Sequence, residues 1–320
     1  MRFTSIPKDF TPIADGVCFT FEVDDEGDFE VQIIDDDTSE IVGIQRLYGV
    51  MGGTIDISHH ICSNTPLRPT PHICSSLAPA ITRRYRIEIG GTVSPSVVLS
   101  DNRHQPTLPS IATTMGHQRR IGHSYSDTLR IFCPFGSTIC ASICSDMGEQ
   151  LDLELCAETG VADLVVTPLD FDDRTKSLEV AVTIDGTPLP LTTYTIDPFF
   201  PDETRLAWLS SIGSLEHYTF NFMDRRWLQL DKPTTRNAAL EPTATHTSVE
   251  CRQTLLSNLE PQAKMEALAE IIASPRVWVD DGKVYRAVEV LDPKRSSSHF
   301  GEPTCMLFDI ATRKREGCRW

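Results

Sequence analysis

Apolar and polar positions alternate with a period of two through most of the chain, the signature of half-buried strands. "VCFTFEV" (17–23) is rich in β-formers, and "DFEVQIID" (28–35) sets Phe29, Val31 and Ile33 against Glu30 and Gln32. The acids and glycine of "DDEGD" between them predict a hairpin turn. "DDDTSE" predicts a second turn leading into "IVGIQRLYGV", and "GGTIDISHHI" reads as a further strand opened by Gly52 and Gly53. In "RRYRIEIGG", Tyr85, Ile87 and Ile89 alternate with Arg84, Arg86 and Glu88.

The period is lost over 102–123, "NRHQPTLPSIATTMGHQRRIGH", which is polar and holds prolines. It returns in "YSDTLRIFC", "TICASIC", "QLDLELC", "ADLVVTPLDF" and "SLEVAVTID", where Leu178, Val180, Val182 and Ile184 share one face. Short strands at regular spacing predict sandwiches or barrels. The expected fold is therefore mainly β. It has two β-sandwich or barrel-like domains, residues 1–110 and 124–320, joined by a linker or exposed loop at 111–123.

The second domain is expected to carry one amphipathic helix near the C-terminus, at 261–273. In "EPQAKMEALAEIIASP", Met265, Leu268, Ala269 and Ile272 fall at i, i+3, i+4 and i+7, with Pro261 in the first turn and Pro275 beyond the end. "RVWVDDGKVYRAVEV" then predicts a hairpin turning at Asp281 and Gly282, with a last strand at "CMLFDIA".

The densest aromatic stretch runs from Arg205 to Lys232 and holds Trp208, Tyr218, Phe220, Phe222 and Trp227. In "HYTFNF" the rings alternate with His217, Thr219 and Asn221, which predicts a half-buried strand rather than a ligand-stacking shelf.

Charge narrows the partners. The 320 residues include 29 Lys and Arg against 45 Asp and Glu, a net charge of −16. Such a surface repels phosphate backbones, so no direct nucleic-acid binding is expected. The basic clusters, Arg83–Arg84, Arg119–Arg120, Arg225–Arg226 and Arg313–Arg315, are not interleaved with stacking aromatics. No apolar run approaches 18 residues, so no membrane insertion is expected. No apolar run follows the charges of "MRFTSIPKDFTPIADG", which points to synthesis and folding in a cytosol.

Candidate chemistry is sparse. None of the ten cysteines forms a C-x-x-C pair, so the thiols are expected to be structural, unpaired and free of zinc. Cys133, Cys140, Cys144 and Cys156 are expected to act as small buried hydrophobes. The acid clusters Asp24–Glu26, Asp35–Asp37 and Asp172–Asp173 fall at expected hairpin tips and lack a calcium-loop pattern. His59 and His60, as strand neighbours, would point to opposite faces. There is no G-x-S-x-G, P-loop, G-x-G-x-x-G or H-E-x-x-H. No catalytic, cofactor-binding or metal residue is assigned, and no cofactor.

One stretch is familiar. An arginine, an apolar residue and Trp-Leu lead to a small-residue bend with glycine, then "YTFNF" and a basic turn; the helix and "SPRVWV" follow. Over residues 205–290 this resembles structural proteins encoded in the tail modules of bacteriophages and prophages of Bacteroidetes-type bacteria. The resemblance implies a non-enzymatic component of a virion tail or tail tip, assembled in the host bacterial cytoplasm. Its partners would be other tail proteins and further copies of itself. Two alternatives stand beside it: a host-recognition module binding a surface glycan, and a carbohydrate hydrolase using paired carboxylates.

Overall fold

Alternation of this kind leaves each strand one apolar face to bury, and sheets satisfy it by packing face to face. The computed structural model describes residues 1–62, 69–80, 82–99, 105–198, 203–231, 234–236, 242–244, 248–295 and 305–313. It is mainly β, as the pattern predicts, with antiparallel sheets and one long helix near the C-terminus.

The first sheet has six strands. Its centre is Cys18–Asp35, which pairs along one side with Glu40–Asp56 and along the other with Arg2–Ser5 and Arg83–Ile89. Phe19, Phe21, Val31, Ile33, Tyr85, Ile87 and Ile89 form its core. The turn expected at "DDEGD" is absent. Cys18–Asp35 runs straight through, and the excess is absorbed where the register jumps from Glu22 opposite Gly52 to Gly27 opposite Val50. This is a bulge, which lets extra residues sit in one strand. On the facing strand Gly49 turns left-handed (φ 58°) and donates its N–H to Asp28. The real hairpin tip follows Asp35, whose Oδ1 accepts from the N–H groups of Asp37 and Thr38.

A second correction concerns "ISHHI". The strand stops at Asp56, whose carboxylate accepts from the N–H and hydroxyl of Ser58 and from the Val17 N–H. That local bonding starts a short helix, Ser58–Cys62, which carries His59 and His60. His60 lies against Gly43, where the absence of a Cβ makes room for its ring.

The central region is a sandwich. One sheet orders Ser76–Pro79, Val161–Val166, Asp127–Phe132 and Ser110–Ala112. The other orders Gln150–Ala157, Ser137–Ser145, Ser177–Ile184, Thr192–Asp197 and Gln118–Gly122, with Thr187–Pro188 alongside. Leu129, Ile131, Leu164, Val180, Val182 and Tyr194 fill the space between. Residues 111–123, expected as linker or exposed loop, contribute to both sheets. Ile111 and Ile121 are buried, and Gln118–Gly122 pairs in parallel with Thr192–Asp197. These strands are too short to display a period, and prolines 106 and 109 beside them read as loop.

The C-terminal sheet has seven strands, from Leu215–Phe220 through Thr204–Leu209, Val277–Asp280, Tyr285–Arg295, Met306–Arg313 and Ser248–Leu256 to Phe222–Asp231. Its two end strands are separated in the chain by Asn221 alone, so the sheet curls until its ends meet there. Inside, Leu206, Trp208, Phe220, Leu255 and Phe308 pack against the helix Gln262–Ala273. The helix buries Met265, Ala267, Leu268 and Ile271. This stripe is rotated from the expected one, because Ile272 lies near the helix end and is half exposed. Residues 124–320, expected as one domain, thus hold two separate apolar clusters. A smaller one, with Phe10, Val98, Ala112, Phe132 and Val161, ties the first sheet to the sandwich.

Candidate functional site

The most concentrated chemistry lies where the sandwich meets the C-terminal sheet. In "HYTFNF" the rings of Tyr218 and Phe220 are buried as expected, and the Phe222 side chain lies outside the described residues. His217 and Thr219, however, are buried too. The second face of this strand does not meet water. There His217 meets Asp127, from Asp127–Phe132, and on the aromatic side Glu216 meets Arg119, from Gln118–Gly122.

Arg119 organises the cluster. Its Nη1 donates to Asp127 Oδ2 at 2.6 Å, its Nη2 to Glu216 Oε2 at 2.5 Å, and its Nε to the Gly116 carbonyl. Glu216 is completed by the Thr114 N–H and the Ser214 hydroxyl, both at 2.9 Å. Arg205 comes from Thr204–Leu209, a strand buried at every position. Register sets Thr219 and Asp280 on either side of it. Arg205 donates to Thr219 Oγ1 and the Ser126 carbonyl, lies 3.4 Å from Asp280, and covers the Tyr125 ring at 5.3 Å. His217 lies between Asp127, 2.7 Å from Nδ1, and the Tyr285 hydroxyl, 3.0 Å from Nε2.

Burial pushes the Asp127 carboxyl up, but Arg119, His217 and Arg205 together outweigh it and hold it far below the ordinary carboxylate range. Burial opposes the charge on Arg119 as well, and Asp127 and Glu216 reverse that, so the guanidinium stays protonated. The Tyr285 hydroxyl is pushed well above its usual value by burial and by Asp280.

A carboxylate, an imidazole and a hydroxyl in line have the order of a catalytic relay. The surroundings argue against one. The hydroxyl belongs to a phenol held neutral, and the space bordering Arg119, His217 and Thr219 is about 20 Å³, the room of one water. The carboxylates that could serve a hydrolase, Asp127, Glu216 and Asp280, each face a buried arginine. The arrangement suits a joint between two sheets.

A larger cavity of about 200 Å³ lies nearby, bordered by His72, Thr128, Arg130, Asp163, Leu209 and Leu215. Arg130 is engaged there, donating to both Asp163 oxygens and to the Gly213 carbonyl. Burial holds the His72 ring below its ordinary pKa, so it is neutral at pH 7. The charged side chains bordering this cavity, Arg130 and Asp163, are thus spent on each other.

The residues singled out from sequence are scattered. Asp35, Asp36 and Asp37 are matched by Arg83, Arg86 and Arg84, so that acidic tip and that basic cluster neutralise one another. Asp24, Asp25 and Glu26 lie in the bulge rather than at a tip. Asp172 pairs with Arg174, and Asp173 lies 3.5 Å from His123. Among the described residues no group of His, Cys, Asp and Glu is placed to hold a metal ion. Of the four thiols expected in the core, only Cys133 is buried; Cys140 and Cys156 are exposed and Cys144 is intermediate. They sit on the outer face of the sandwich, because alternation in Ser137–Ser145 gives Ile139, Ala141 and Ile143 the inner one. The joint itself went unassigned in the sequence. Its one signal is Arg205 and Glu216, charges set inside runs otherwise apolar or aromatic.

No protein-family model and no curated protein matches the chain. Solved structures that align with it include the following three. Chicken interferon gamma receptor alpha chain is 8% identical, with a TM-score of 0.20, covering 62% of this chain and 98% of that one. Dpr2 Ig1–Ig2, in complex with DIP-Theta Ig1–Ig3, is 11% identical, with a TM-score of 0.21 and coverage of 98% and 90%. E. coli alpha-2-macroglobulin is 9% identical, with a TM-score of 0.22 and coverage of 99% and 20%. Similarity at this level carries no argument, and the fold rests on the strands themselves. Among the described residues no helix is long and apolar enough to cross a membrane.

Proposed function

We propose that this chain is a non-enzymatic structural component of a large protein assembly, and that the assembly is a bacteriophage tail or tail tip. The observation that carries the structural role is the distribution of its chemistry. Clustered charges are buried and ion-paired with one another in a joint, while large apolar side chains collect on an exposed sheet edge, Glu40–Asp56. Interaction surfaces expose apolar groups, whereas reacting centres need access and unspent charge. The phage setting comes from the resemblance over residues 205–290. Its partners would be other tail proteins and further copies of the chain, within a virion built in the bacterial cytoplasm. The glycan-binding alternative relied on aromatics of the Arg205–Lys232 stretch, and Trp208 and Tyr218 are in the core.

The test is composition. Particles released from the source bacterium are purified and quantified by mass spectrometry. The chain should be present at a fixed ratio to the other tail proteins. Particles that lack it would contradict the assignment.

A further inference from the structure

We propose that the free edge of strand Glu40–Asp56 pairs antiparallel with the same edge of a second copy of this chain, about a two-fold axis near Leu47. This deepens the structural role above and rests on it, by naming one partner and one surface.

The strand is 17 residues long and hydrogen-bonds on one side only, to Cys18–Asp35; among the described residues no strand lies on its other side. Its exposed residues include Ile41, Ile44, Tyr48 and Met51, which are 52%, 51%, 69% and 62% accessible. Free edges are ordinarily blunted by lysine, proline or inward-pointing charge. This strand has neither lysine nor proline, its charges are Glu40, Arg46 and Asp56, and the blunting feature it does carry is the bulge at Gly49.

The order of residues favours a second copy. Antiparallel pairing of identical edges is self-complementary and closes as a dimer. The register is limited by charge. An axis at Arg46 would set that arginine against itself, and one at Tyr48 would set Glu40 against Asp56. An axis at Leu47 avoids both. It places Arg46 opposite Tyr48, a cation and a ring face suited to each other. It also places Ile44 opposite Val50, Ile41 opposite Gly53, Val42 opposite Gly52 and Gln45 opposite Gly49, so large side chains meet glycines across the axis. The overlap, Glu40–Thr54, is at most about 50 Å long at roughly 3.3 Å per residue, and the bulge at left-handed Gly49 shortens it.

The test is sedimentation of the full chain across concentration and salt, with an exposed-site double variant, Ile44→Lys with Tyr48→Lys. Leu228→Lys, at an exposed position on another strand, serves as control. Circular dichroism and thermal midpoint should be unchanged in both, since neither alters the core. The wild type and the control should dimerise, and the dimer should hold or tighten as salt rises. The double variant should dissociate at least about 100-fold more readily. A wild type that stays monomeric up to millimolar concentration would overturn the edge pairing. So would an oligomer that the double variant leaves intact. Neither result bears on whether the chain is found in particles, so the two proposals fail separately.

Discussion

Asp127 touches both arginines of the joint and its histidine: Arg119 at 2.6 Å, His217 at 2.7 Å and Arg205 at 3.8 Å. Removing one partner of a buried ion pair leaves the others desolvated and unmatched, a penalty of about 3–5 kcal/mol. Asp127→Ala should lower the urea midpoint by that equivalent, while replacement of exposed Asp173 should barely move it. The pH dependence follows from the same contacts. Folding depresses the Asp127 pKa, so its stabilisation is complete above the unfolded value of about 3.9 and fades as pH falls below it. Folding raises those of Tyr125, Tyr218 and Tyr285, so their contribution is complete below about pH 10 and fades above it. Folding also depresses the pKa of His72 and His117 and raises that of Cys133, so urea midpoints should be level only between about pH 7 and 8 and fall on both sides, and Asp127→Asn should soften the acid limb below about pH 4 without touching the alkaline one. The thiols separate likewise. Burial pushes Cys133 up to about 11, whereas Cys140 and Cys156 face solvent. Alkylation at pH 8 followed by peptide mapping should mark the latter two in the folded protein and Cys133 only after unfolding.

At the scale of elements, the helix Gln262–Ala273 is held by its buried stripe rather than by end capping, since Pro261 supplies no side-chain cap. Leu268→Ala or Ile271→Ala should cost about 2–5 kcal/mol, as large-to-small changes in a core do, and Ile272→Ala much less. Thermal or urea unfolding of the three variants would check this order. Elements with a one-sided periodic face were the legible ones. Ser177–Ile184 and the 261–273 helix were readable because a single surface of each is buried. Leu215–Phe220 was only half legible, because its polar positions are buried against charges more than 80 residues away in sequence, at Arg119 and Asp127. Alternation cannot tell a polar face in water from one in an ion cluster. The hairpin expected at "DDEGD" failed for a different reason. Acids and glycine suit a bulge as well as a turn, and only the partner strand decides between them.

At the scale of the whole molecule, apolar and ionic links join three cores into one body. Phe10 carries the first link, packing its ring against Phe132 at 5.4 Å and Phe135 at 5.8 Å. The Arg119–Asp127–Glu216 cluster carries the second. Interior charge is thus spent on rigidity, and what remains for interaction is surface. The acidic balance of that surface opposes self-association through long-range repulsion, screened beyond a Debye length of about 10 Å at 0.1 M salt. An apolar edge is the contact that survives such repulsion. Hydrogen exchange of the backbone amides of residues 40–56, followed by mass spectrometry at increasing concentrations of the intact chain, tests this most directly. The account predicts that these amides exchange freely in dilute solution and become protected together as concentration rises, while Ser177–Ile184 stays equally protected throughout. Exchange over 40–56 that is unchanged across concentration would contradict it.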